Sequence, residues 1–351
     1  MTREVFGMES IIRIEHVSKE FKIVDHREGL KGSVRDLFSR EYHIINAVND
    51  ITMDIKAGEI VGYLGPNGAG KSTTIKMMTG VLEPSSGVIR VNGRIPYQNR
   101  SKNAQRIGVV FGQRTQLWWA LPVRESFRIL KEIYRIDEGV FQDNLEYFDA
   151  LVGAGELYGK TVRQMSLGQR TLCDILAAFL HNPEVVFLDE PTIGLDVSMK
   201  SKIRELIKQL NRERETTVIL TTHDMGDVDA LCRRIVIIDK GTVLYDNSIE
   251  NLHSFFGAYR TVRLTFHKGE EPEKEEHLRL VQRWLQEAFP GAVSLNISLQ
   301  EQWIDVLLDE EEVSVMQVLN AVQEKKKIAD MMLQEISTES VIKKIYEGGI
   351  R

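Results

Sequence analysis

The run Gly65-Pro66-Asn67-Gly68-Ala69-Gly70-Lys71-Ser72-Thr73 follows directly on the apolar segment Glu59 to Leu64 and leads into a helical pattern. It restricts the fold more than any other feature of the chain. Gly65, Gly68 and Gly70 let the backbone turn tightly, so that successive N–H groups point inward, and the helix that starts there adds its positive dipole end. Anionic phosphate is the natural guest of such a cradle. Lys71 supplies a point charge for β- and γ-phosphates, Ser72 a hydroxyl ligand for Mg²⁺, and Thr73 a further hydrogen bond. Pro66, Asn67 and Ala69 complete the nucleotide-contacting loop. The spacing GxxxxGK[ST] between a strand and a helix places this loop at the carboxyl end of a strand in an α/β domain.

By itself the loop does not choose among GTPases, kinases and ATPases. A second site narrows the choice. Residues 184–192, EVVFLDEPT, set Asp189 and Glu190 at the end of an apolar strand. Adjacent carboxylates there have separate jobs: Asp189 is placed to hold Mg²⁺ through a water, and Glu190 to polarise the water that attacks a γ-phosphate. Two acids beside a polyphosphate would repel it without the metal, so nucleotide binding is expected to depend on Mg²⁺.

From Ile11 to Asp246, β-rich runs alternate with helical patterns, which is the signature of a largely parallel sheet with helices on its faces. After Asn247 the order is β, α, β, β, α, β and a closing helix from Thr338, which predicts a ferredoxin-like unit. Its segments are expected over 260–266, 276–289, 292–297, 303–308, 313–325 and 331–336. Between Asp25 and His43, Leu30, Val34, Leu37 and Phe38 recur at helical spacing among Lys31, Arg35 and Arg40, which predicts a short amphipathic helix.

Upstream of Asp189 stands Met165-Ser166-Leu167-Gly168-Gln169-Arg170. This segment resembles the LSGGQ signature of ABC ATPases, with Met165 for the leading Leu and Leu167 for the first Gly. The resemblance covers residues 11–246 and carries further positions in order. Gln113, in GVVFGQ, is similar to the Q-loop glutamine that senses Mg²⁺ and water, with Gly112 as one extra residue before it. Gly194-Leu195-Asp196 resembles the D-loop, and His223, in LTTHD, resembles the switch histidine that meets the γ-phosphate. Phe21 stands where an aromatic ring stacks on adenine.

The resemblance implies a P-loop NTPase domain of ABC type over 1–249, with a helical subdomain at about 114–180, followed by an accessory α+β domain over 250–351. It further implies an ATPase that binds ATP and Mg²⁺ and pairs head-to-tail with a second copy, each site joining Lys71 and Glu190 of one copy to Ser166, Gly168, Gln169 and Asp196 of the other. Separate permease subunits in the membrane are the implied partners, with the chain peripheral on the cytoplasmic face. The Gln116-Leu117-Trp118-Trp119 run and LDEPTIGLD look most like ABC-2-type exporter subunits, and Trp118 and Trp119 are candidate permease anchors. An importer subunit with a solute-sensing tail is the alternative.

Composition agrees with these expectations. The chain is 42% hydrophobic and 27% charged, with a net charge of −6, so bulk charge gives no reason to expect a nucleic-acid partner. A soluble DNA-repair ATPase is further disfavoured because too few residues separate Lys71 from Asp189 for a long coiled coil. Two cysteines, Cys173 and Cys232, make neither a disulfide framework nor a zinc cluster and fit a reducing compartment.

Overall fold

A computed structural model describes residues 10–24, 42–112, 114–255, 259–266, 274–292, 295–300 and 303–346. The candidate amphipathic insertion, with Leu30, Val34, Leu37 and Phe38, and the candidate Gln113 lie outside these residues. The chain divides into two compact units, Met1–Ile249 and Glu250–Arg351.

Two sheets build the first unit. Strands β1 (Ser10–Val24), β2 (Tyr42–Lys56) and β4 (Ser86–Val91) form an antiparallel sheet in the order β2-β1-β4. The second sheet contains β3 (Ile60–Leu64), β5 (Ile107–Phe111), β6 (Val185–Asp189), β7 (Thr217–Thr221), β8 (Arg234–Asp239) and β9 (Thr242–Ser248), in the order β5-β6-β7-β3-β8-β9. Neighbours are parallel from β5 to β8, and β9 closes the edge antiparallel to β8. Its central strands read as unbroken apolar runs because helices cover both faces of a parallel sheet. Val185–Leu188 and Ile235–Ile238 are accordingly fully buried. In β2, by contrast, Ile51, Met53 and Ile55 are buried in alternation with exposed residues, the period of a strand with one wet face.

The helices of this unit are α1 (Lys71–Met78), α2 (Arg100–Ala104), α3 (Val123–Tyr134), α4 (Glu138–Val152), α5 (Gly155–Tyr158), α6 (Leu167–Phe179), α7 (Val197–Arg214) and α8 (Met225–Leu231). One hydrophobic cluster joins both sheets through α1, with Ile14, Ile55, Tyr63, Ile75, Phe187 and Val236 among its members. Helices α3 to α6 fill the span between β5 and β6, and bury Phe127, Phe141, Phe148, Leu172 and Leu176. A short helix, α9 (Ile249–Phe255), follows β9.

The second unit runs β10 (Tyr259–Phe266), α10 (Lys274–Ala288), β11 (Asn296–Gln300), β12 (Trp303–Asp309), α11 (Val315–Gln323), β13 (Ile328–Glu335) and α12 (Thr338–Tyr346). Its strands are ordered β11-β12-β10-β13 with every neighbour antiparallel. Val262, Leu264, Ile304, Val306 and Leu308 make the inner face, and Val281 and Leu285 of α10 with Val318 and Val322 of α11 close the core. Strand β11 begins later than the expected 292–297 segment, at Asn296, because Ala292 still bonds back to Phe289 in the turn that ends α10. No helix among the described residues is long and apolar enough to cross a membrane.

Candidate functional site

Strand β3 ends at Leu64, and the loop 65–70 carries the chain into α1. Two glycines here are required by space. A Cβ on Gly65 would meet the Ile238 carbonyl oxygen at 2.6 Å, and one on Gly70, whose φ is +103°, would meet the Ala47 carbonyl oxygen at 2.4 Å. The loop is thus pressed between β8 and β2, and its inner side faces a cavity of about 320 Å³ lined by Ala47, residues 66–73, Gly112, Asp189 and Glu190. The amides that open α1 and the Lys71 ammonium are the cavity's cationic side.

Lys71 is buried, and its ammonium donates to the carbonyls of Gly65 (2.5 Å) and Pro66 (3.1 Å). Burial holds its pKa below the ordinary lysine range, while the carboxylates of Glu190 and Asp189 pull it back up. A desolvated cation with two acids nearby is well matched to a polyanion that brings its own cation. This loop fits a nucleotide triphosphate: backbone donors, one ammonium, the Ser72 hydroxyl and the Asp189 carboxylate line the same cavity.

Across the cavity, Asp189 closes β6. Its Oδ1 accepts from the Thr221 hydroxyl of β7 at 2.5 Å. Glu190 takes a left-handed backbone, φ +52°, held by its N–H on the Thr221 carbonyl (3.0 Å) and hydroxyl (3.2 Å). A non-glycine residue kept in that region costs on the order of 1–3 kcal/mol and persists where surroundings impose it. The kink turns Glu190 toward His223, whose Nε2 lies 2.8 Å from Glu190 Oε1. The structure therefore brings together Lys71, Ser72, Asp189, Glu190 and His223, on three neighbouring strand ends.

The other candidates are placed elsewhere. Ser166 is the N-cap of α6: its hydroxyl accepts from the Gln169 N–H, and the Gln169 side chain accepts from the Ser166 N–H, both at 3.2 Å. Gln169 thus has a capping task in its own helix. Gly168 packs on Met199 of α7 so closely that a Cβ would meet its Cγ at 2.7 Å, and Leu167 lies beside Gly194. Asp196 caps α7 by accepting from the Met199 N–H at 2.9 Å. None of these residues lines the phosphate cavity of its own chain. Phe21 lies on β1 opposite Ile45, two residues from the cavity-lining Ala47 on β2. Trp118 and Trp119 are 38% and 54% exposed, and the Arg170 guanidinium lies over the Trp119 ring.

Three functional groups escape a reading of the sequence. Thr221 joins Asp189 to Glu190, as described. Asp227 is fully buried and accepts from Thr192, Thr222 and Arg204, tying the segment after Glu190, the segment before His223 and α7 to one carboxylate. Asp174 of α6 is buried, and accepts from the Thr115 hydroxyl (2.8 Å) and the Gln116 N–H (3.0 Å), so the segment after Gly112 is fastened to the helix that Ser166 caps. Burial raises the Asp174 pKa to about 6, although these hydrogen bonds and Arg170 act against the rise. A second cavity, of about 670 Å³, extends from Ser72 and Asp189 past Thr115, Gln116 and Asp174 to Tyr134. A threonine or aspartate at these positions gives no local signal, since its partners are distant in the chain.

Comparison with known proteins gives the following. The family model described as ABC transporter matches residues 48–193. The chain is 35% identical over 216 residues to the ABC transporter ATP-binding protein NatA of Bacillus subtilis (strain 168), covering 62% of this chain and 87% of NatA. It is 37% identical over 218 residues to the linearmycin resistance ATP-binding protein LnrL of the same organism, covering 62% of this chain and 70% of LnrL. Among solved structures, the dimeric structure of MJ0796, a bacterial ABC transporter cassette, matches with a TM-score of 0.55 and 25% identity, over 68% of this chain and 98% of that one.

Proposed function

The chain belongs to the ABC transporter ATP-binding family, and from that membership we propose that it is the ATP-hydrolysing subunit of an exporter, acting as a pair beneath separate membrane permease subunits. The observation that carries the reading is the convergence of Lys71, Ser72, Asp189 and Glu190 on one cavity, with His223 paired to Glu190, at the ends of three adjacent strands. The nucleotide-binding domain is residues 1–249, with its helical subdomain at about 114–180. Residues 250–351 form an accessory module, and its βαββαβ order with strands arranged β11-β12-β10-β13 supports a ferredoxin-like assignment.

Within the site, the loop amides, Lys71 and Thr73 bind the phosphates, and Ser72, Asp189 and Gln113 hold Mg²⁺. When bound, Mg²⁺ neutralises charge on the β- and γ-phosphate oxygens. Glu190 orients and polarises the attacking water, and His223, within hydrogen-bond reach of Glu190, reports on the γ-phosphate. Phe21 stacks on the base. The remaining contacts, Ser166, Gly168 and Asp196, come from the second copy. Their positions away from the phosphate cavity of their own chain support this, as does the likeness to a dimeric cassette. ATP then stabilises the closed pair because it touches both copies, and hydrolysis removes that bond.

Likeness to LnrL, by name a resistance protein, supports the export reading, and likeness at 32% identity to a methionine import ATP-binding protein keeps import as the alternative. The exposed Trp118 and Trp119 support a role as permease anchors, and the proposal puts the chain against the inner face of the membrane. The test is the steady-state ATPase rate of Glu190→Gln. Retained nucleotide binding with turnover lowered by about 100-fold or more is expected, in line with the loss of a general base; an unchanged rate would remove Glu190 from the chemistry.

A further inference from the structure

Strand β13 ends the sheet of the second unit, and among the described residues nothing pairs with its outer edge. Met331, Met332 and Leu333 are consecutive on it and are 53%, 46% and 52% exposed. An open edge bearing three adjacent apolar side chains attracts another strand, and natural sheets avoid such edges unless something covers them.

The ladder shows what the edge lacks. Met331 pairs with Leu264 and Leu333 with Val262 on β10, and both partners are buried in the core of this unit. Residues paired across a ladder share a face, so the apolar inner face runs on through β10 and stops, uncovered, at Met331 and Leu333. Met332 lies on the opposite face with Asp330 and Gln334, on the side that carries Arg263.

We propose that β13 pairs antiparallel with β13 of a second copy, about a twofold axis at Met332, making one eight-stranded sheet from two accessory units. The inference extends the proposed pairing of two copies and rests on that reading. The strand is complementary to itself in this register. Met331 falls opposite the partner subunit's Leu333 on the inner face, twice over by symmetry. Met332 meets the partner subunit's Met332, and Asp330 meets the partner subunit's Gln334, so no like charges oppose. Both apolar faces are covered and the free backbone edge is hydrogen-bonded in the same step.

The test uses the full-length chain without nucleotide. Met332→Cys is expected to give a disulfide-linked dimer as the main species on oxidation. Asp330→Cys is expected not to, because its symmetry mate is four strand positions away, about 13 Å, beyond the roughly 7 Å that a disulfide spans. The native Cys173 and Cys232 are buried and contribute no background. A Met331→Lys, Leu333→Lys double variant should weaken nucleotide-free self-association at least tenfold in analytical ultracentrifugation. Absent linking at 332, equal linking at 330 and 332, or unchanged association of the lysine variant overturns the proposal. So does a lysine variant that still self-associates but no longer co-purifies with a membrane subunit, since the edge would then belong to that subunit. Because no ATP is present, failure of the nucleotide-sandwiched pairing leaves these outcomes readable by themselves.

Discussion

Lys71 shows how much of the site is decided at the level of single residues. Its burial and its two carboxylate neighbours make it a cation that gains from meeting phosphate, and the sequence spacing alone identified it. Lys71→Ala removes a charge-assisted contact of about 1.5–3 kcal/mol and is expected to weaken nucleotide binding by about 10- to 100-fold. Isothermal titration with a non-hydrolysable ATP analogue measures this, and normal affinity would contradict the phosphate-loop assignment. Asp174 is the opposite case, invisible in the sequence because burial between two distant segments is what perturbs it. Its folded pKa of about 6 lies above the ordinary aspartate value of 3.8. The protonated form therefore favours folding, a contribution fully present below the unfolded value and lost as pH rises through the folded one. Relative to Asp174→Asn, the wild-type chain should lose up to about 3 kcal/mol of stability between about pH 4 and pH 7. Urea midpoints of both proteins at pH 5 and pH 7.5 would show it, and parallel pH curves would refute it.

Among the elements, α6 carries two demands at its first turn. Ser166 satisfies the helix end through a capping box and is also the residue proposed to meet the γ-phosphate of the other copy. Substitutions can separate these. Ser166→Ala should cost about 1 kcal/mol, lowering Tm by roughly 2–4 °C, and should lower the ATPase rate. Ser166→Asp keeps an N-cap acceptor and should hold Tm near that of the wild type, yet still lose ATPase activity because a carboxylate would face phosphate. A fully active Asp variant would leave Ser166 with capping alone. The helix was legible from the serine and the glutamine three residues on, followed by an apolar stripe. What Gly168 does was not: its missing Cβ makes room for Met199 of α7, a neighbour brought in by the fold. Leu167 has a similar account, since it packs beside Gly194 of a loop that precedes the same helix.

At the scale of the whole molecule, the proposed shared site implies that one chain holds two halves that do not meet. Lys71, Asp189, Glu190 and His223 converge, whereas Ser166 and Asp196 each cap the start of a helix and do not line that cavity. With the β13 edge blocked by Met331→Lys and Leu333→Lys, adding ATP to Glu190→Gln should therefore convert a monomer to a closed dimer, and light scattering after gel filtration would report the doubling of mass. A hydrolysis-deficient chain that stays monomeric with ATP, even with its membrane subunits present, would end the shared-site reading. The sequence by itself determined the phosphate loop, the acidic strand end and the order of elements in the second unit, because each is written in local spacing: glycines where the backbone must turn, apolar runs of strand length, helical periods between them. Only the tertiary structure decided that Thr221 bridges Asp189 and Glu190, that Asp227 gathers three segments on one carboxylate, and that β13 ends a sheet with its apolar residues uncovered. Those are facts of contact between residues far apart in the chain, and no local pattern encodes which distant side chain arrives.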